Sequence, residues 1–263
     1  MQAVAAAGLP LILLAPTHRA HPRRVQAAGL QERDVIADNV RFVRQLRELS
    51  GVACSHAEYG EGPRGPVLIG GTMGCYGDAY NPREALPEPS AFVYHRLHAS
   101  QLATAGVDFL YGTTLPALSE AVGMARAMAA TGVPYVLSFI IRSDGRLLDG
   151  TPLVQAIERI DQTVSPPPRF YMVNCVHPSI LLSALSAPVN ARTAARSRLL
   201  GIQANASAKS PEELDGTATL QADDFDEWVA GMVRLRAEHR LRIFGGCCGT
   251  NDRYIARLVA ALT

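Results

Sequence analysis

The sequence has almost no charge imbalance: its formal net charge is +1 over 263 residues, and charged side chains make up only 19%. A basic face for a polyanion is therefore missing, and nucleic acid is not an expected partner. No apolar run reaches the roughly 20 residues that a bilayer span needs. The opening Met1–Gly8 and Leu9–Leu14 stretches resemble a signal core, but no Lys or Arg precedes them, so a cytoplasmic protein without a membrane partner is expected. An even cysteine set is also lacking. Five cysteines in a chain without an export signal favour reduced thiols over a disulfide framework. Nor is there a dinucleotide fingerprint: the loop Gly70–Gly77 is too irregular, and no acidic residue is placed to hold a ribose.

What is present is a chain with 48% hydrophobic residues, which argues against disorder. Its length suits one α/β barrel of about 250 residues. No compositional shift marks a linker, so residues 1–263 are expected to form a single domain. The pattern predicts the last turns of an Ala-rich helix over residues 1–8. Seven strands are then expected at Leu11–Ala15, Pro66–Gly70, Val107–Tyr111, Pro134–Ile141, Phe170–Asn174, Leu199–Gln203 and Leu241–Phe244. Helices are predicted between and after them at Glu32–Leu49, Ser90–Ala105 with Ser90 as N-cap, Pro116–Thr131, Leu153–Val164, Ser179–Leu185, Asp224–Glu238 and Asp252–Leu262. Strict β-then-α alternation means parallel strands with right-handed crossovers, in either an eight-fold barrel or an open doubly wound sheet. Loops following strands are the longer ones and the richer in Gly, Cys, Thr and Asn, as expected if chemistry sits at the C-terminal rim.

Three cysteines stand at expected strand ends: Cys175 after Met172-Val-Asn, and the adjacent Cys247 and Cys248 after Phe244-Gly-Gly. Neighbouring thiols on a strand point to opposite faces and converge only where the strand stops. Gly245, Gly246 and Gly249 are read as that stop. Parallel strands place their C-termini on one side, so the three thiols can meet. Three sulfur ligands with one position open describe a reactive zinc site, and soft thiolates select zinc over magnesium or calcium. Packed small residues, redox sensing and a vicinal disulfide remain alternatives at this point. Cys75 and Cys54 read as incidental, and His177 as a surface residue or a support for a ligand.

Val173-Asn-Cys-Val-His-Pro178 together with Gly245-Gly-Cys-Cys-Gly-Thr250 resembles the paired signature of the homocysteine S-methyltransferase family. Thr17-His-Arg-Ala20, the glycine loop through Gly77, Leu137-Ser-Phe139 and the turn at Asn205 are similar to further parts of the family, so the likeness runs nearly end to end. It implies a (β/α)8 TIM barrel and a cytoplasmic transferase of methionine biosynthesis. In that reading Cys175, Cys247 and Cys248 hold Zn²⁺, and the acceptor thiol, homocysteine by default, takes the fourth position as a thiolate. The thiolate attacks the methyl group of a small sulfonium or betaine-like donor, and no catalytic residue beyond the metal site is required. The implied partners are thus a small-molecule thiol and a methyl donor, with room for a homo-oligomer. Thr17, Thr113 and Asn174 are the expected substrate-binding residues.

Two departures accompany the resemblance. The family's first strand, with an Asp-Gly-Gly-x-Gly-Thr-like motif, and the helix after it have no counterpart. One β/α unit is therefore expected upstream of Met1. At the fourth strand of the family pattern, Thr113 stands where a Glu associated with the homocysteine amino group is usual. A silent zinc-binding relative, or a methyltransferase for another thiol, is the alternative that this change raises.

Overall fold

The computed structural model describes residues 1–49, 65–191, 196–210, 213 and 224–263. Cys54 lies outside the described residues. All seven expected strands form: β1 (Leu11–Ala15), β2 (Val67–Met73), β3 (Phe109–Leu115), β4 (Tyr135–Phe139), β5 (Tyr171–Val176), β6 (Leu199–Ala204) and β7 (Ile243–Gly246). They make one sheet in chain order, every neighbouring pair parallel. The sheet curls into a half-barrel, with β1 and β7 at its two ends.

The helices follow the same order: α1 (Gln2–Ala6), α2 (Pro22–Ala27), α3 (Val35–Leu49), α4 (Glu88–Thr104), α5 (Leu118–Ala129), α6 (Leu153–Thr163), α7 (Pro178–Ser186), α8 (Phe225–His239) and α9 (Asp252–Leu262). Strand residues alternate between two apolar clusters, as a period of two demands. Leu110, Tyr135, Leu137, Tyr171 and Val173 face the helices in the main core. Phe109, Tyr111, Val136 and Met172 fill the other face with Ile12, Leu14 and Ile243. The short α1 packs on α9, so the first and last helices are neighbours.

Several boundaries differ from the sequence-based expectation for identifiable reasons. The glycine loop was expected to start at Gly70, yet β2 continues through Gly70 and Gly71 to Met73. A Cβ at Gly70 would come within 2.6 Å of Phe109 and 2.7 Å of Leu14, and one at Gly71 within 2.9 Å of Leu102. These glycines permit close packing inside a strand and turn nothing. Helix α4 starts after Pro87, ahead of the expected Ser90 cap, and carries proline in its first turn, where a preset φ favours the helix and the missing N–H costs nothing. Helix α2 was not expected. His21 caps it by accepting from Arg23 N, with Pro22 at its first position. The same His-Pro device starts α7, where His177 accepts from Ser179 N.

Candidate metal centre

The site is built at the C-terminal ends of β5 and β7. Cys175 lies inside β5, at a register shift between Asn174 and Val176 against β6, and has φ of +54°. Such a bulge breaks the alternation of side chains. Asn174 and Cys175 consequently approach each other, with Asn174 Nδ2 3.3 Å from Cys175 Sγ. Asn174 is almost fully buried and holds three elements together. Its Oδ1 accepts from Thr114 N at 2.9 Å and from Ser138 Oγ at 2.7 Å. Its Nδ2 also donates to Thr114 Oγ1 at 2.8 Å. Thr114 itself sits at φ +58° within a register shift of β3 against β4. A β-branched residue in that region is an outlier, and the Asn174 amide is what holds it there.

The adjacent pair is fixed by backbone. Cys247 N donates to Ala204 O at 2.8 Å, and Ala206 N donates to Cys248 O at 2.9 Å, so both cysteines are tied to the end of β6. Thr250 folds back, its hydroxyl donating to Cys247 O at 2.7 Å. A Cβ at Gly246 would collide with that hydroxyl. Of the three glycines expected to end the strand, Gly245 and Gly246 lie within β7, while Gly249 alone takes a left-handed φ, +80°. The turn therefore runs through Cys248 and Gly249, closed by Thr250 N donating to Cys247 O at 3.2 Å.

The result is a cluster. Cys175 Sγ and Cys247 Sγ are 3.1 Å apart, Cys247 Sγ and Cys248 Sγ 4.0 Å, and all three sulfurs lie within 4.8 Å of one another. They are free thiols. Sulfurs on a tetrahedral zinc, with bonds of about 2.3 Å, stand about 3.8 Å apart. The observed separations bracket that value, and the donor set is soft, so these residues fit the metal. Three packed thiols cannot all ionise without a cation. Hydrogen bonds from Cys175 and Cys247 hold Cys248 down to about 3. The hydrogen bonds with Cys175 and Cys248, followed by burial, push Cys247 far up. At Cys175, the lowering contact with Cys247 is outweighed by Cys248 and burial, leaving it at about 11. A bound dication removes this conflict by deprotonating its ligands.

Sequence reasoning missed Tyr80. It comes from the connection between β2 and α4; burial, then the charges of the nearby Cys175 and Cys248, raise its phenol. Tyr111 also faces the thiols, buried and raised by that burial, and donates to Gln203 at 2.6 Å. A tyrosine in an irregular loop gives no sequence signal of this kind; the alternation of β3 would have found Tyr111. Among the other expected residues, Thr113 is buried, with its hydroxyl 3.2 Å from that of Thr114. Thr17 is fully buried. It donates to Thr72 O at 2.8 Å and accepts from Thr72 N at 3.0 Å, tying β1 to β2. Cys75 is pushed up to about 12, chiefly by burial, and packs against the core.

The profile of the homocysteine S-methyltransferases matches residues 4–262. The chain belongs to the homocysteine S-methyltransferase family. As a member it is a methyltransferase. It is 26% identical over 271 residues to the homocysteine S-methyltransferase of Escherichia coli (strain K12), covering 93% of this chain and 77% of that one. To the homocysteine S-methyltransferase YbgG of Bacillus subtilis (strain 168) it is 25% identical over 194 residues, 72% of this chain and 59% of the relative. The fold is similar to that of the metallated form of the Escherichia coli homocysteine methyltransferase MmuM, with a TM-score of 0.73 at 24% identity, over 97% of this chain and 80% of the other. The apo form of the same protein aligns with a TM-score of 0.64 at 23% identity, over 97% of this chain and 81% of that one.

Proposed function

We propose that this family member is a zinc-dependent S-methyltransferase that transfers a methyl group from a small sulfonium or betaine-like donor to a thiol, homocysteine by default. The observation that carries this reading is the meeting of three thiol sulfurs within 4.8 Å at one rim. In the same reading, the seven-stranded sheet is part of a (β/α)8 arrangement. Cys175, Cys247 and Cys248 would hold the zinc. When bound, the metal lowers the pKa of a thiol acceptor from about 8.5, so that the sulfur is a nucleophile at neutral pH.

The chain's own residues orient and shield. Asn174 fixes the Cys175 sulfur through its amide. Tyr80 and Tyr111, both raised by burial, stay neutral at physiological pH and do not act as bases; the Tyr111 proton is already given to Gln203. In the transfer the acceptor S–CH₃ bond forms as the donor S–CH₃ or N–CH₃ bond breaks. The electron pair of the broken bond stays on the donor, which leaves as a neutral thioether or amine. The acceptor's proton goes to solvent.

Thr113 supports a second reading, in which the acceptor carries no ammonium group. Its hydroxyl lies 3.2 Å from the Thr114 hydroxyl and brings no negative charge to a position where the family pattern has Glu. Hydrogen bonds to charged groups are worth roughly 1.5 to 3 kcal/mol. The test is product formation by the zinc-loaded chain from S-methylmethionine or betaine, with homocysteine and with simple thiols, read by mass spectrometry. Methionine formation that is lost in Cys247→Ser is expected. Methylation of simple thiols alone selects the second reading, and no methylated thiol with any pair contradicts both.

A further inference from the structure

One side chain holds both ends of the connection between β2 and α4. Glu120, in the first turn of α5, is fully buried. Its Oε1 accepts from Tyr76 N at 2.6 Å, and its Oε2 accepts from Leu86 N at 3.2 Å. The third partner is His95 on α4, itself fully buried, with Nε2 2.9 Å from Glu120 Oε1. A carboxylate is costly to bury without partners, and here its acceptor capacity goes to the two ends of one loop and to the helix that follows it.

Between these ends the loop is braced from within. Glu84 accepts from Asp78 N at 2.9 Å and from Asn81 Nδ2 at 3.0 Å. Asp78 accepts from Tyr80 N at 3.0 Å, and Asn81 caps the short turn Pro82–Glu84. The backbone of Tyr80 is therefore fixed relative to Tyr76 and Leu86. Its phenol lies near enough to Cys175 and Cys248 for their charges to act on it.

We propose that Glu120 is a positioning residue which, by clamping the loop at Tyr76 and Leu86, seats Tyr80 as a cover over Cys175. The cover would limit the access of water and stray electrophiles to the thiol cluster. This inference rests on the cluster being the working site, but its test does not depend on methyl transfer.

The test is alkylation of the metal-free full chain by iodoacetamide, stopped at low conversion and read at each cysteine by peptide mass spectrometry. Tyr80→Ala is expected to raise the rate at Cys175 by about tenfold, an effect of local opening with the fold intact. Glu120→Ala should do the same. Because removing a buried carboxylate can unfold the chain, Glu120→Gln is the companion variant. It keeps one acceptor oxygen, so a smaller rise is expected at an unchanged unfolding midpoint. Adding Glu120→Gln to Tyr80→Ala should give no further rise, since both act through one side chain. An unchanged Cys175 rate in Tyr80→Ala overturns the cover. A Glu120→Gln effect that persists in full in the Tyr80→Ala background overturns the clamp. Failure of the methyl-transfer reading would appear in product formation and leave these rates untouched.

Discussion

Two stretches of the same rim, built from the same strand-plus-loop unit, have opposite characters. At the ends of β1 and β2, Thr17 and Thr72 satisfy each other: one hydroxyl bonds across the strands, and the other donates to Ala15 O at 2.6 Å. At the ends of β5 and β7, three thiols face one another, and their contacts push Cys247 up and Cys248 down. The first region is complete as it stands, and the second is a set that could hold a metal ion. Polar groups that satisfy one another at a strand end stabilise the fold, whereas a set that cannot all be satisfied by protein marks a ligand site.

Breaking the second region should have the largest effect. Replacing any one of Cys175, Cys247 or Cys248 by Ser is expected to weaken zinc binding by more than about 100-fold, measured by competition with a chromophoric chelator. Next comes the support beneath it. Asn174→Ala removes a buried amide from four hydrogen bonds and should cost about 3 kcal/mol in urea unfolding, with weaker zinc binding as well.

The β1–β2 side should respond to pH in place of metal. His98 is buried beside His21, their rings 6.0 Å apart. Burial, followed by the charges of His21, His95 and His18, lowers it from 6.5 to about 3. Below pH 6.5 the unfolded chain takes up this proton and the folded chain does not. The stability present above that pH is therefore lost as pH falls toward 3, at about 1 kcal/mol per unit. His98→Gln should flatten this slope in denaturant titrations between pH 6.5 and 5. The smallest effect is expected from Thr17→Val, a loss of about 1 kcal/mol with zinc affinity unchanged. A large change in zinc affinity there would erase the contrast between the two regions.

The same contrast separates what was legible in the sequence from what was not. The seven strands follow from short apolar runs in strict alternation with helices, and the thiol cluster follows from strand C-termini sharing one side. These are local signals. The positive φ at Thr114 had none, because β-branched Thr favours extended backbone and what holds it is the Asn174 amide on another strand. The interstrand bond that makes Thr17 a tie between β1 and β2 joins it to a residue 55 positions away. Glu120 meets Tyr76 and Leu86 across 44 and 34 positions, and no periodicity records such a contact. The glycines misled in a consistent way. Gly70, Gly71, Gly245 and Gly246 lie within strands, where close neighbours and not a turn require them.

The central claim is that Cys175, Cys247 and Cys248 form one metal centre. Zinc K-edge X-ray absorption on the zinc-loaded full chain tests it most directly. The account predicts one zinc per chain with three sulfur neighbours at about 2.3 Å, falling to two in Cys247→Ser. A first shell dominated by oxygen and nitrogen, or one unchanged by that substitution, would contradict it.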